Sequence, residues 1–127
     1  MITTEDVRDI LISKFREMGY SPYKSSALPD EEIKDERVVV ISNAGKDGTY
    51  WTKSFPIVNF CVPNIYEMAD TGRMSEIQRD VYNTRGTGEY DGTFYRFKRF
   101  SMSEERDKDG RYHFVKLVLL FEILNTI

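Results

Sequence analysis

Residues 112–123 read YHFVKLVLLFEI, and this stretch decides the fold. Every second residue from 115 to 123 is apolar, which is the period of a β-strand. The positions between them carry a second bulky set, namely Tyr112, Phe114, Val118 and Leu120. A helix-backed antiparallel sheet usually leaves one face polar. The second face of this strand is therefore covered either by the long segment at residues 20–36 or by another subunit.

The residues before this stretch predict the other strand of a hairpin. From Thr93 to about Met102, aromatic and charged side chains alternate. One face carries Phe94, Arg96 and Lys98, and the other carries Tyr95 and Phe97. The run Asp107-Lys108-Asp109-Gly110 supplies the turn, because Gly110 suits a position of positive φ.

Two more strands are predicted upstream. The first is a run of β-branched residues, Arg37–Ile41. The second extends from about Tyr50 to Val62 and is bulky on both faces, with Trp51 and Phe55 at positions of one parity. Pro56 has no N–H to donate, so we expect this strand to bend there or to lie at an edge.

An amphipathic helix opens the chain. Thr3 or Thr4 can cap it, and Glu5 and Asp6 place negative charge in its first turn. Its apolar residues repeat every three to four positions: Val7, Ile10, Leu11, Phe15 and Met18. Gly19 predicts its end.

A second helix is predicted between the two pairs of strands. Asp70 or Thr71 is its cap, and it ends near Thr84. Its narrow apolar stripe consists of Met74, Ile77 and Val81. The glycine-rich run that follows, residues 85–88, predicts a flexible connection.

The order helix, strand, strand, helix, strand, strand predicts an α+β fold. We expect a mostly antiparallel four-stranded sheet with both helices packed on one face. Residues 1–127 have a suitable length for a single domain. Residues 20–36 are expected to form a long irregular loop, because they contain Pro22, Pro29 and an acidic cluster.

Composition bounds the class of protein and the compartment. The net charge is -3 and the pI is near 5.2. A protein that neutralises many phosphates usually has an excess of basic residues. We therefore do not expect nucleic acid as a partner. The single cysteine, Cys61, favours a reducing compartment. The acidic start does not resemble a signal peptide, and the longest apolar stretch is too short to cross a membrane. We therefore expect an intracellular protein.

The residue types that carry catalysis are sparse. His113 has no second histidine as a partner, and Cys61 would be a nucleophile only if the fold brought His113 beside it. A half-buried strand histidine and a buried, inert thiol are the better interpretations. The sequence thus predicts no catalytic residue, no cofactor-binding residue and no metal ligand, and we expect a protein that is not an enzyme.

Residues 94–100 permit two interpretations. Aromatic residues interleaved with Arg96, Lys98 and Arg99 could stack on bases and hold a phosphate backbone. The same alternation arises in any strand with one buried and one solvated face. The acidic net charge favours the second interpretation.

The order, size and strand character of these elements resemble those of a phage protein family. The chain is similar to the small tail-terminator and tail-completion (head-tail joining) proteins of tailed bacteriophages. The likeness covers nearly the whole chain through its five parts: Glu5–Met18, Arg37–Ile41, Tyr50–Val62, Thr71–Thr84 and Thr93–Ile123. The passage from the second strand towards the helix through Phe60-Cys61-Val62-Pro63-Asn64 is the most similar part.

The resemblance implies an enzyme-free structural subunit that assembles into a ring, commonly a hexamer, at the head-proximal end of the tail. Its partners would be copies of itself and neighbouring tail or connector proteins, with no cofactor. It would be cytoplasmic during assembly and then part of the virion. Charged loops such as Glu104–Arg111 could extend towards neighbouring subunits.

The expected interaction surface combines exposed cations with bulky strand residues: Trp51, Phe55, Arg96, Lys98, Tyr112, Phe114, Val118 and Leu120. Two alternatives stay open at this point. One is a small nucleic-acid-binding module that uses strand 94–100. The other is a monomeric adaptor that binds one protein partner through an apolar patch.

Overall fold

The computed structural model describes residues 1–23 and 27–125. Within that part of the chain there are two helices, α1 (Thr4–Glu17) and α2 (Thr71–Val81). The strands, in chain order, are β1 (Pro22–Tyr23), β2 (Arg37–Ile41), β3 (Lys46–Asp47), β4 (Trp51–Ser54), β5 (Ile57–Pro63), β6 (Arg85–Tyr90), β7 (Thr93–Arg106) and β8 (Tyr112–Leu124).

All the strands belong to one curled sheet, a half-barrel six strands wide. One edge of β8 pairs first with β5 and then with β4, while its other edge pairs with β7. Beyond β5 come β2 and then β1, and beyond β7 comes β6. The two-residue strand β3 pairs with β4. Every pairing is antiparallel except that of β1 with β2.

The α+β class and the mostly antiparallel sheet are as predicted, but the prediction of four strands is wrong. The observed order is helix, several strands, helix and then three strands. β1 and β3 are two residues long, so neither produces a periodic pattern in the sequence. β6 escaped prediction because Gly86 and Gly88 weaken the strand signal.

The predicted ends of α1 are confirmed. Thr3 caps the helix: the Asp6 N–H donates to its hydroxyl over 3.1 Å, and the Thr3 N–H donates to the Asp6 carboxylate over 2.9 Å. At the other end, the Tyr20 N–H donates to the Phe15 carbonyl across Gly19, whose φ is 97°. This is a Schellman motif, and it stops the helix where the glycine predicted.

The second helix also follows its prediction. Asp70 is the N-cap, and its carboxylate accepts a hydrogen bond of 3.1 Å from the Arg73 N–H. Met74, Ile77 and Val81 are all buried. The helix itself ends at Val81, slightly before the predicted residue.

Both helices pack against the same side of the sheet, which we call the inner face; the opposite side is the outer face. The inner core joins apolar residues of the helices with the alternating set of β8, among them Leu11, Phe15, Met74, Leu117 and Phe121. The rings of Tyr95, Phe97 and Phe121 are stacked, with 4° between the planes of the last two. These contacts hold the strand β7 against β8 on the inner face.

The run 85–88 is an ordered strand, so the prediction of a flexible connection is wrong. A Cβ placed on Gly86 would lie 2.6 Å from the Phe97 ring, and one on Gly88 would lie 2.7 Å from the Tyr95 hydroxyl. The two aromatic side chains therefore occupy the space that side chains on β6 would need. Glycine suits these two positions because the aromatic rings pack directly on the backbone of β6. The glycines therefore allow close packing and do not indicate flexibility.

The predicted second strand is divided at Phe55 and Pro56 into β4 and β5. The two pieces pair with successive parts of β8, and the Leu119 N–H donates to the Pro56 carbonyl over 3.0 Å where they meet. The expected bend at Pro56 is thus present, and it lies beside the centre of the longest hairpin. That hairpin extends to Arg106 before its turn, so residues 104–106 are strand and not loop.

Candidate interaction surface

The outer face of the sheet can be read as rows of side chains that cross β8. Near the end of β8, one row joins Trp51, Leu124 and Phe94, and the next joins Lys53, Glu122 and Arg96. Further rows are centred on Leu120, Val118, Lys116, Phe114 and Tyr112. All eight residues of the predicted interaction surface lie on this face, but their environments differ from one end to the other.

One end of the outer face is covered by the chain itself. Residues 27–36, which we call the strap, cross it and insert Ile33, which is only 3% exposed. Ile33 packs with Cys61, Tyr112 and Phe114, and Leu28 borders the same cluster. Tyr112 and Phe114 are therefore buried within the chain and unavailable to a partner. Residues 24–26 of the predicted irregular loop lie outside the described residues.

Polar contacts hold the strap in place. The Tyr112 hydroxyl donates to the Pro29 carbonyl over 2.7 Å, and burial raises the pKa of Tyr112 to about 12. The Arg111 guanidinium bridges the Asp30 carboxylate at 2.9 Å and the Asp107 carboxylate at 2.7 Å. Hydrogen bonds from Arg111 lower the pKa of Asp107 to about 2. Arg111, together with Lys108 at 3.1 Å from the Asp30 carboxylate, thus links the strap to the β7–β8 turn.

A row of charges crosses the other half of the face. Glu122 is nearly buried and lies between Lys53 at 3.7 Å and Arg96 at 3.1 Å. The Arg96 guanidinium also lies 3.8 Å from the centre of the Trp51 ring, a cation–π contact. Arg96 and Trp51 contact each other within the chain. They therefore border the exposed surface and are less available to a partner than residues without such contacts.

Next to this row is an exposed apolar area that we call the open patch: Phe55, Phe100, Val118 and Leu120. Phe55 is 41% exposed and Phe100 is 59% exposed, while Val118 and Leu120 are half-buried. Phe100 is the extra residue at the register shift between Arg99 and Ser101. A bulge of this kind re-aims a side chain, and the Phe100 ring contacts Phe55 at 4.9 Å across β8.

Two cations lie beside the open patch, one on β7 and the other on the edge strand β6. Lys98 and Arg85 are directly opposite each other in the β7–β6 ladder, and both are exposed. Neither has an ion-pair partner within residues 1–23 and 27–125. Like charges at directly opposite positions destabilise a sheet. This pair therefore leaves a positive charge available to an acidic group.

The sequence left two explanations for the apolar outer face of β8, which were cover by residues 20–36 and cover by another subunit. The first applies to one half of β8, and the other half is left without cover from the described chain. The strap covers Tyr112 and Phe114, as the first explanation required. Val118 and Leu120 have no such cover within the described part of the chain. The sequence pattern predicted the two-sided strand but contained no signal for where the cover stops.

The aromatic side chains of strand 94–100 are largely unavailable for base stacking. Tyr95 and Phe97 point to the inner face and belong to or border the core. Arg99 stacks on Tyr82 at 4.0 Å and donates to the Tyr82 carbonyl over 2.8 Å. Phe94, Phe100 and Lys98 point outward, and the fourth outward residue, Arg96, is already engaged by Glu122 and Trp51.

Cys61 and His113 do not form a pair, because they project from opposite faces of the sheet. Burial raises the pKa of the Cys61 thiol to about 12, which keeps it protonated and unreactive. His113 is half-buried, and its Nδ1 lies 2.7 Å from the Asn64 Oδ1. Within the described residues, no group of three or more His, Cys, Asp and Glu side chains could hold a metal ion.

A strained turn was missed by the sequence interpretation. Between β5 and α2, Ile65 and Met68 form a bridge around Tyr66 and Glu67, whose φ values are 50° and 64°. Positive φ at both central positions defines a tight turn that usually contains Asn or Gly. Tyr66 is 94% exposed, and Ile65 and Met68 are exposed too. The signal for this turn lay only in Pro63-Asn64, which suggested an end to the strand and nothing about the exposed side chains.

Comparison with protein-family models and with curated proteins gave no match to this chain. Neither helix in the described chain has the length and apolar character needed to cross a membrane.

Proposed function

We propose that this protein is a non-enzymatic assembly subunit that works through protein–protein contacts with copies of itself. The resemblance to tail-terminator and head-tail joining proteins makes a closed ring, such as a hexamer, the specific form of the proposal. Neighbouring tail or connector proteins would be its further partners, in the cytoplasm during assembly and in the virion afterwards.

The observation that carries this proposal is the open patch. Phe55 and Phe100 make an aromatic pair that faces solvent beside two half-buried aliphatic residues of β8. Aromatic side chains at the centre of an interface commonly supply most of the binding energy. A contiguous apolar area with a charged border is typical of an interaction surface. Here the Glu122 ion pairs form that border.

A ring needs one surface of each copy to contact a different surface of the next, because only heterologous contacts close into a cycle. The outer face offers two unlike ends on a single rigid sheet: one is covered by the strap and the other is open. The two ends therefore supply the two unlike surfaces that a ring contact needs, and the particle mass separates a ring from a dimer in which both ends meet about a two-fold axis.

The first experiment is light scattering of the purified chain across a wide range of protein and salt concentrations. We expect a particle several times the 14.9 kDa of the chain, growing with protein concentration. The double variant Phe55→Ser with Phe100→Ser should weaken association about tenfold or more, because it removes the aromatic anchors. Its fold should persist, since both side chains are already exposed.

Tyr82→Ser is the matched control. Tyr82 is also an exposed aromatic residue, but it follows α2 on the helix side of the molecule. A strict monomer at every concentration would contradict self-assembly and move the proposal to the adaptor alternative. Equal association of all three proteins would instead place the contact elsewhere on the surface.

A further inference from the structure

We infer that the open patch and the cations beside it bind the strap of a second copy, so that copies join head to tail along the outer face. This inference rests on the proposed self-assembly and deepens it, because it assigns the two surfaces that meet. The partner is a second copy of this chain, recognised by the acidic part of its strap.

The strap carries the negative member of the contact. Residues 30–36 read DEEIKDE, with five acidic residues and one lysine. Three of the acids have cations of their own chain: Asp30 pairs with Arg111, Glu31 with Arg37 and Glu36 with Arg73. Glu32 and Asp35 are exposed and have no ion pair within the described residues. They are the carboxylates available to another molecule.

The opposite end carries the positive member. Arg85 and Lys98 face each other across the ladder, and within the described residues neither forms an ion pair with a carboxylate that would offset the repulsion. A pair of carboxylates from outside would relieve that repulsion and add charge-assisted hydrogen bonds. The open patch lies beside them, and the strap of the neighbour would cover it with the half-buried Leu28 at its border.

The geometry requires the contact to form between copies. Phe114, beneath the strap, and Leu120, in the open patch, are six residues apart on the same face of β8. At the rise of a strand this is about 20 Å. The strap of a copy therefore cannot reach the open patch at the other end of its own sheet, whereas the strap of a neighbour can. When each copy uses its strap on one neighbour and its open patch on another, the contacts propagate until the rotation closes a ring, whereas two copies that use both areas on each other stop at a two-fold dimer.

The size of the two areas sets the expected strength. A stable interface usually uses about 20–30 residues on each side. The open patch with its two cations has six residues, so a single contact should be weak and assembly should depend strongly on concentration. Because the contact includes exposed charges, it should also weaken as salt is added.

The test uses two charge-reversed variants of the full chain. The first, Arg85→Glu with Lys98→Glu, inverts the positive end while keeping a like-charge pair of the same kind in the ladder. The second, Glu32→Lys with Asp35→Lys, reverses the charge at the two unpaired positions of the strap and leaves the residues of its internal ion pairs unchanged. We expect each variant alone to associate about tenfold or more weakly than the unmodified chain, as coupled charges at an interface do.

Mixing the two variants in equal amounts should restore assembly. The unmodified strap of the first meets the unmodified cations of the second, and the two inverted ends also match each other. A control with Arg16→Glu and Arg79→Glu makes the same change of net charge as the first variant, on the helices behind the sheet, and should associate like the unmodified chain. Thermal unfolding of every variant checks that each is folded.

The outcomes separate this inference from the proposed function. If the unmodified chain assembles and both reversed variants assemble equally well, the head-to-tail contact is wrong while self-assembly stands. If each variant is weakened but their mixture is not restored, the two ends do not meet each other, and the inference is overturned. If the unmodified chain is monomeric throughout, the proposed function fails and this inference fails with it.

Discussion

Gly86 shows at the scale of single residues why the edge of this sheet is ordered. Its missing side chain leaves room for the Phe97 ring, which a Cβ would approach to 2.6 Å. Phe97 in turn stacks on Phe121 of the central strand. The glycine thus connects the last strand of the sheet to the inner core through two aromatic rings.

We expect Gly86→Ala to lower the free energy of unfolding by about 1–3 kcal/mol, the usual cost of forcing extra volume into a packed site. Alanine alone would favour a strand over glycine by about 0.5–1 kcal/mol, so the sign of the change reports the ring contact. Urea unfolding measures it. Thr87→Ala, at the exposed neighbouring position, is the control and should change stability little. An unchanged or higher stability of Gly86→Ala would mean that Phe97 moves aside freely.

Asp107 makes the stability of the β7–β8 turn dependent on pH. Its pKa is lowered to about 2 in the folded chain by Arg111, against an ordinary carboxyl pKa near 3.9 in the unfolded chain. A lowered folded pKa means that the stabilisation is complete above about pH 4 and disappears as the pH falls towards 2.

We therefore expect Asp107→Asn to lower the thermal midpoint at pH 7 and to have much less effect near pH 2. The measurement is the difference in midpoint between the two proteins from pH 2 to pH 7. Glu89→Gln, which changes an exposed carboxylate with no ion pair in the described chain and no part in the proposed contact, is the control and should show little of this trend. A difference that stays constant with pH would assign the loss to packing rather than to the Arg111 contact.

At the scale of elements, the strap covers one end of the outer face of the sheet, although it contains almost no regular secondary structure. Ile33 is its buried anchor, and the Tyr112 hydroxyl bonds to its backbone at Pro29. Segments with few buried contacts open locally at a lower free energy than the core. Cys61 lies directly beneath it and reports any such opening.

We expect Ile33→Ala to raise the rate at which a thiol reagent labels Cys61 by about tenfold or more, because removing a buried isoleucine costs several kcal/mol at the site of the contact. Circular dichroism should stay close to that of the unmodified chain. Ile12→Ala removes a similar volume from the inner core and is the control. If it accelerates labelling equally, Cys61 is reached by global unfolding and the strap is not an independent unit.

On the scale of the whole molecule, the helices and the long hairpin could be predicted because each produces a local signal. Thr3, Gly19 and Asp70 mark helix ends by chemistry that is the same in any fold. The alternation in β8 likewise identified a strand apolar on both faces. Gly110, at φ 68°, lies in the turn that its sequence predicted.

The rest depends on contacts between residues far apart in the chain. The order of β6 comes from rings on β7, and no periodicity within residues 85–90 could reveal it. The extent of the strap over the outer face depends on the site at which Ile33 is buried. Cys61 of β5 and Tyr112 of β8 line that site, and both are far from Ile33 in the sequence. The alternation of residues along the strand predicted that Trp51 and Phe55 lie on the same face. It did not predict that Arg96 packs on the Trp51 ring.

The central position of β8 also bears on synthesis. It pairs with β4, β5 and β7, all of which the ribosome makes first. Until residues 112–124 emerge, β5 can pair only with β2, β4 only with β3 and β7 only with β6, so the sheet can exist only as separate pieces. The complete sheet can form only after β8 has been made. Before that, a nascent polypeptide would expose the earlier strands to chaperones and to misassembly with other unfinished copies.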